Sequence, residues 1–170
     1  MVGIGETAPG FGGDAYWKGK ITKINAKGFA GKWIVLFFYP RDFTFVCPTE
    51  LKGFANAEKE FASAGAQLIA ASTDSAYSHK AWFERDMPEV KYPILADTNH
   101  AISSAYGVLV EKDGCALRGT FIIDPHGTLQ YLVISNLNVG RSVQETLRVL
   151  KALQTGGLCP LEWKPGMKTL

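Results

Sequence analysis

No two lysines or arginines are adjacent anywhere in this chain, and Lys+Arg 18 against Asp+Glu 16 leave a formal charge of only +2. That excludes the polybasic stretches that grip nucleic acid or an anionic membrane surface. Long apolar runs are missing as well. The longest is Trp33 to Tyr39, seven residues, against the ~20 that a membrane span needs. The opening Met1 to Asp14 has no cationic region and no apolar run of signal-peptide length, and Val2 stands where myristoylation requires glycine. The expected compartment is therefore the cytoplasm. Cysteine is scarce: Cys47, Cys115 and Cys159 are odd in number and widely spaced, which fits neither a secreted disulfide framework nor a CxxC metal or redox pair. There is no P-loop pattern, no GxSxG elbow, no HExxH and no GxGxxG opening a helix. His79, His100 and His126 are not spaced as metal ligands, and each is expected at the surface or at a cap.

What is present suits one ordinary globular domain. The 170 residues are 46% hydrophobic, 12% aromatic and 20% charged, and a chain of this length buries about 68–70% of its unfolded surface without a metal or disulfide staple. Lys32 to Tyr39 is a near-continuous apolar run and reads as a strand covered on both faces. Pro48 to Ala64 then carries Leu51, Phe54, Ala55, Phe61 and Ala62 on one helical face, with Pro48 suited to the first turn and Gly65 to the stop. Further strands are expected at Gln67 to Ala71 and Ile94 to Ala96, with helices at Ala76 to Arg85 and near Asn99 to Tyr106. Leu117 to Ile123 and Leu129 to Ser135 flank Asp124-Pro125-His126-Gly127 and form a hairpin. Ser142 caps a last helix that ends at Gly156-Gly157. The pattern gives an α/β sandwich with a central mixed β-sheet and flanking helices.

The chemistry converges on the loop between Pro40 and Glu50. Cys47 lies between a buried strand and a helix starting at Pro48, so its sulfur faces unpaired backbone N–H groups and the positive end of the helix dipole, a place that favours a thiolate. Thr44 offers a hydroxyl three residues earlier, and Pro40 and Pro48 stiffen the loop. Taken alone, the residues leave two readings open for Cys47: a reactive thiol, or a small hydrophobe of the core.

Pro40, Thr44 and Cys47 also stand in the spacing PxxxTxxC, within FTFVCPTE. This resembles the active-site loop of the peroxiredoxins, specifically the typical two-cysteine, alkyl hydroperoxide reductase type. The similarity continues through Gly5 to Pro9, Asp74-Ser75, Ser78-His79 with Trp82, Arg118 to Asp124, Val139 to Ser142, Cys159-Pro160 and Trp163 to Gly166. It implies a thioredoxin-like fold and a thiol peroxidase with no metal or organic cofactor. On that resemblance Cys47 is the peroxidatic cysteine, Pro40, Thr44 and Arg118 complete its pocket, and Cys159 is the resolving cysteine. Glu50 and Arg141 hold Arg118 and the loop in place; their alternative is a solvated surface pair. Residues 1–155 form the peroxidase domain and 156–170 a tail carrying Cys159. The implied partners are a second subunit in a homodimer, assembled into a ring of dimers, with peroxide as substrate. The electron donor is a thioredoxin-like protein or a flavoprotein disulfide reductase.

Departures from the family pattern also carry expectations. Cys115 matches none of the family's catalytic cysteines, which makes it a bystander thiol or half of an accessory disulfide. Members that overoxidise easily carry a GGLG segment after the region of Trp82, whereas Lys91-Tyr92-Pro93-Ile94 runs on directly here. A thioredoxin-like dithiol reductase needs a second cysteine where this chain has Glu50. A holdase or peroxide-signalling relay, and a one-cysteine peroxidase with a structural Cys159, remain as rival functions.

Overall fold

The computed structural model describes residues 2–170. Strands β1 (Gly12–Trp17) and β2 (Lys20–Asn25) form a hairpin, followed by β3 (Trp33–Phe38), helix α1 (Cys47–Ser63), β4 (Ala66–Ser72), α2 (Ala76–Asp86) and β5 (Ile94–Ala96). After a short α3 (Ala101–Ala105) come β6 (Leu109–Val110), β7 (Cys115–Ala116), β8 (Arg118–Ile123), β9 (Leu129–Ser135) and α4 (Val143–Thr155). Seven strands make one sheet in the order β2-β1-β5-β4-β3-β8-β9, and β6 pairs with β7 separately. β3, β4 and β5 run parallel, while β1, β8 and β9 pair antiparallel. This is the expected mixed sheet with flanking helices.

Alternation along β3 explains the two-sided core. Val35, Phe37 and Tyr39 face α1, α2 and α4, packing with Leu51, Phe54, Trp82, Phe83, Leu147 and Leu150. Ile34, Leu36 and Phe38 face the other way, onto Ile102, Tyr106, Val108 and Phe121. A period of two on a strand buried on both faces yields this division directly.

Three differences from the sequence reading have physical causes. The β1–β2 hairpin was not expected; its turn is Lys18-Gly19, both at positive φ, and it joins the sheet because Ala15 and Tyr16 pair with Leu95 and Ile94 of β5. Such a turn matches the twist of its strands, but the flanking residues alternate too weakly to announce it. α3 starts later than Asn99 because His100 is left-handed at φ 62° and the Asp97 carboxylate takes the N–H groups of Ile102 and Ser103 at 2.9 and 2.7 Å. His79 is fully buried on the inner face of α2 instead of at the surface, whereas His126 is exposed in the β8–β9 turn.

The last helix ends as its sequence requires. Ser142 accepts from the N–H of Glu145 at 3.1 Å, and Gly156 terminates α4 at φ 67°. Beyond it, the tail folds back on α4: the Trp163 side chain is buried, Arg148 donates to its carbonyl at 2.9 Å, and Leu170 N–H donates to the Leu158 carbonyl at 2.8 Å. Among the described residues no helix is long and apolar enough to cross a membrane.

Candidate active site

Cys47 is the first residue of α1, one position earlier in the helix than its sequence suggests, with Val46 as N-cap and Pro48 in the first turn. Val46 has no capping side chain, so the positive end of the helix is left to whatever sits at the sulfur. The loop before it leaves the buried strand end at Tyr39 and Pro40 and turns through Phe43, which is left-handed at φ 56°. A bulky residue in that region carries strain that the surroundings must hold in place. Thr44, half-buried, donates its hydroxyl proton to the Arg41 carbonyl at 3.0 Å; its oxygen lone pairs are thereby left to accept.

A buried charge cluster closes the other side of the sulfur. Arg118, at the start of β8, donates from Nη1 to the Cys47 sulfur at 3.4 Å and to Glu50 Oε2 at 2.7 Å, and from Nε to the Leu137 carbonyl at 2.8 Å. Glu50 lies one helical turn after Cys47. Its Oε1 accepts from the backbone N–H and Nε of Arg141, both at 2.9 Å, and its Oε2 also from Arg141 Nη2 at 3.1 Å. Arg141 in turn reaches the carbonyls of Gly119 at 2.8 Å and Phe38 at 2.6 Å. Arg118, Glu50 and Arg141 are all at most 4% exposed as side chains, so the solvated-surface alternative fails. Burial pushes the Glu50 carboxyl up, but the hydrogen bonds and charge of Arg141, with the charge of Arg118, outweigh it and hold the carboxyl below its ordinary value. Two guanidinium groups against one carboxylate leave one positive charge over, beside the Cys47 sulfur.

Gly119, whose carbonyl Arg141 reaches, has no room for a side chain. A Cβ there would meet Val108 Cγ1 at 2.7 Å and Phe121 Cε2 at 2.8 Å, in the core on the far face of the sheet from Cys47.

The other two thiols are elsewhere. Cys115, in β7, is buried, and burial pushes its thiol up with only partial relief from the nearby Arg41 guanidinium. Cys159 is half-buried against α4; its sulfur meets the Thr155 hydroxyl at 3.5 Å and the Ala152 carbonyl at 3.7 Å, and makes no hydrogen bond to the Cys47 cluster. All three cysteines are unpaired. No group of side chains that could hold a metal ion occurs among the described residues.

A profile of the AhpC/TSA family matches residues 4–132, a span that contains Thr44, Cys47, Glu50 and Arg118 and stops short of Arg141 and Cys159. The chain belongs to the AhpC/TSA family. Within this family it is 51% identical to the putative peroxiredoxin YkuU of Bacillus subtilis over 98% of this chain and 97% of that protein. It is 48% identical to a thioredoxin peroxidase of Echinococcus granulosus, over 98% of this chain and 91% of that one. The solved structure of reduced Plasmodium vivax 2-Cys peroxiredoxin superposes with a TM-score of 0.92 at 36% identity, covering 98% of this chain and 91% of that chain. This peroxiredoxin is thus a peroxide-reducing thiol peroxidase with the thioredoxin-like fold.

The sequence reading missed a second polar group beside the loop. Asp42, Ser78, His79 and Tyr39 form a hydrogen-bonded cluster at the loop's start. Its signal was there: His79 lies in helical register with buried Ala76, Trp82 and Phe83, and Asp42 is the one acid between Pro40 and Cys47.

Proposed function

We propose that Cys47 is the peroxidatic cysteine and that Pro40, Thr44 and Arg118 shape its pocket for hydrogen peroxide and organic hydroperoxides. One observation carries this reading: the buried Cys47 sulfur, at the N-terminus of α1, receives a guanidinium N–H from Arg118 at 3.4 Å. The thiolate attacks one peroxide oxygen, the O–O bond breaks, Cys47 becomes a sulfenic acid, and the other oxygen leaves as water or alcohol after taking up a proton. Arg118 is placed to stabilise both the thiolate and the charge that develops on the oxygens. The lone pairs of Thr44 accept the peroxide O–H and orient it in line with the sulfur. Glu50 and Arg141 hold Arg118 at its post.

Cys159 then resolves the sulfenic acid: its thiol condenses with Cys47 to form a disulfide and release water. The position of Cys159 in the tail against α4, with no hydrogen bond to the Cys47 cluster of its own chain, favours a partner subunit as the source of the resolving thiol. The working unit on this reading is a homodimer, further assembled into a ring of dimers. A dithiol donor, either a thioredoxin-like protein or a flavoprotein disulfide reductase, restores both thiols, and unpaired cysteines suit a reducing cytoplasm.

A non-reducing gel after one equivalent of peroxide tests the whole cycle. The native protein should give a covalent dimer, and both Cys47→Ser and Cys159→Ser should abolish it. Cys47→Ser should also lose peroxide turnover, since a neutral hydroxyl is a poor nucleophile. A dimer that persists in Cys159→Ser would transfer the resolving role to Cys115.

A further inference from the structure

A buried carboxylate that takes no part in the charge cluster around the sulfur sits five residues before Cys47. The Asp42 side chain is 1% exposed. Its Oδ1 accepts from the Tyr39 hydroxyl at 2.7 Å, and its Oδ2 accepts from the Ser78 hydroxyl at 2.7 Å and from His79 Nδ1 at 2.8 Å. The backbone N–H of Asp42 donates to Asp74 Oδ2 at 2.9 Å, and the Ser72 hydroxyl donates to the same oxygen at 2.8 Å. The start of the loop is therefore tied to the ends of β3 and β4 and to the first turns of α2. A carboxylate withdrawn from water persists only with such partners.

His79 shows what the arrangement is for. The residue is fully buried, and its Nε2 has no hydrogen-bond partner among the described residues. A buried polar atom left without a partner costs stability, and all the polar contacts of the ring are those of Nδ1. Nδ1 contacts Asp42 at 2.8 Å and the Tyr39 oxygen at 3.3 Å. Burial, reinforced by the charge of Asp42, pushes the Tyr39 phenol well above its ordinary value, so its hydroxyl proton stays in place as a donor to that carboxylate.

We propose that the buried Asp42–His79 pair is a positioning element of the peroxide-reducing centre, fixing the loop from Pro40 to Cys47 in its reactive conformation without touching sulfur or peroxide. It rests on the reading of Cys47 as the attacking thiol. Phe43 and Thr44 follow Asp42 directly, and the left-handed turn at Phe43 needs an anchor on each side. Asp42 is the anchor before it, and α1 with its charge cluster is the anchor after it. Loss of the first lets Thr44 and the sulfur drift relative to each other, and a misplacement of ~1 Å costs about 10²-fold in rate.

The test uses the full chain and rapid mixing of the reduced protein with hydrogen peroxide, followed through Trp82, whose ring lies 5.6 Å from that of Phe43. His79→Leu, which removes the donor to Asp42, should lower the second-order rate constant of Cys47 oxidation by about 10²-fold. His79→Asn, whose amide nitrogen can replace Nδ1, should recover most of that loss. Leu129→Ala, a core truncation in β9 away from the loop, should lower the melting temperature while leaving the rate constant near the native value. A folded His79→Leu that oxidises at the native rate overturns the proposal, as does an Asn variant no faster than Leu. If His79→Leu does not fold, Asp42→Asn decides by the same criterion: slowed oxidation supports the anchor, and a native rate overturns it. Peroxide reduction surviving in Cys47→Ser would instead overturn the reading of the sulfur.

Discussion

Replacing Glu50 with glutamine removes the anion that holds Arg118 and Arg141 together while keeping the shape of the side chain. The native carboxylate accepts four hydrogen bonds, three of them from guanidinium nitrogens, at 2.7 to 3.1 Å. Glutamine retains a single acceptor oxygen and turns an NH2 group toward nitrogen donors, leaving two buried guanidinium groups without a counter-charge. Removing one partner of a buried ion pair costs about 3–5 kcal/mol. At ~2–4 °C per kcal/mol for a domain of this size, the melting temperature should fall by about 6–20 °C at neutral pH. The dependence on pH has a definite sign. The folded-state carboxyl is held below its ordinary value, so the native protein has the full benefit above the unfolded carboxylate pKa of ~4.3 and loses it as the pH falls through the lower folded-state value. Glutamine cannot titrate, so the gap between the two proteins should narrow on acidification. Thermal unfolding of both at one protein concentration, from pH 7 downward, measures this. A gap that does not change with pH, or a neutral-pH shift within about 2 °C, would refute the charge argument.

Arg118→Ala should slow peroxide reduction by about 10²–10³-fold, as loss of a single preorganised donor does elsewhere; stopped-flow oxidation of the reduced protein reads it, and a native rate would show that the guanidinium serves only the fold. Gly119→Ala should destabilise by about 1–3 kcal/mol, because the new methyl would overlap Val108 and Phe121; unchanged thermal unfolding would show that β8 has room to spare. Cys115→Ser should change neither peroxide turnover nor the covalent dimer, since the thiol is buried and pushed toward its protonated form; a lost dimer on a non-reducing gel would assign it a redox role. With no GGLG segment before β5 to pack over the first turn of α1, resolution should outrun overoxidation, and mass spectrometry after cycling at modest peroxide should find little Cys47 sulfinate.

How far the sequence could be read depended on how local each determinant was. The central strand, α1, α2 and the β8–β9 hairpin follow from periodicity and turn residues within single segments. The β1–β2 hairpin did not, because its place depends on pairing with β5 about eighty residues later, a contact that no local pattern encodes. At the site, the place of Cys47 between a buried strand and a proline-led helix was legible, but that place alone left a reactive thiol and a core hydrophobe both open. Arg118, Glu50 and Arg141 were legible only through family resemblance, since β8 brings Arg118 to α1 and a loop brings Arg141 to Glu50 across 91 residues of chain. His79 was misplaced because an isolated histidine is usually a surface residue, while its actual fate was settled by the inner face of α2 and a carboxylate from another element.

Arg141 reaches past Glu50 to the carbonyls of Phe38 and Gly119, where β3 ends and β8 begins. The same guanidinium therefore finishes two neighbouring strands and clamps the Glu50 carboxylate. For protein engineering this removes a familiar freedom: the charge cluster beside Cys47 cannot be redrawn on an untouched scaffold. A combinatorial library over positions 50, 118 and 141 should lose members to sheet fraying before activity is ever assayed. Phe43 and Phe45, whose rings are exposed and close no strand, leave more room for substitution in the same loop.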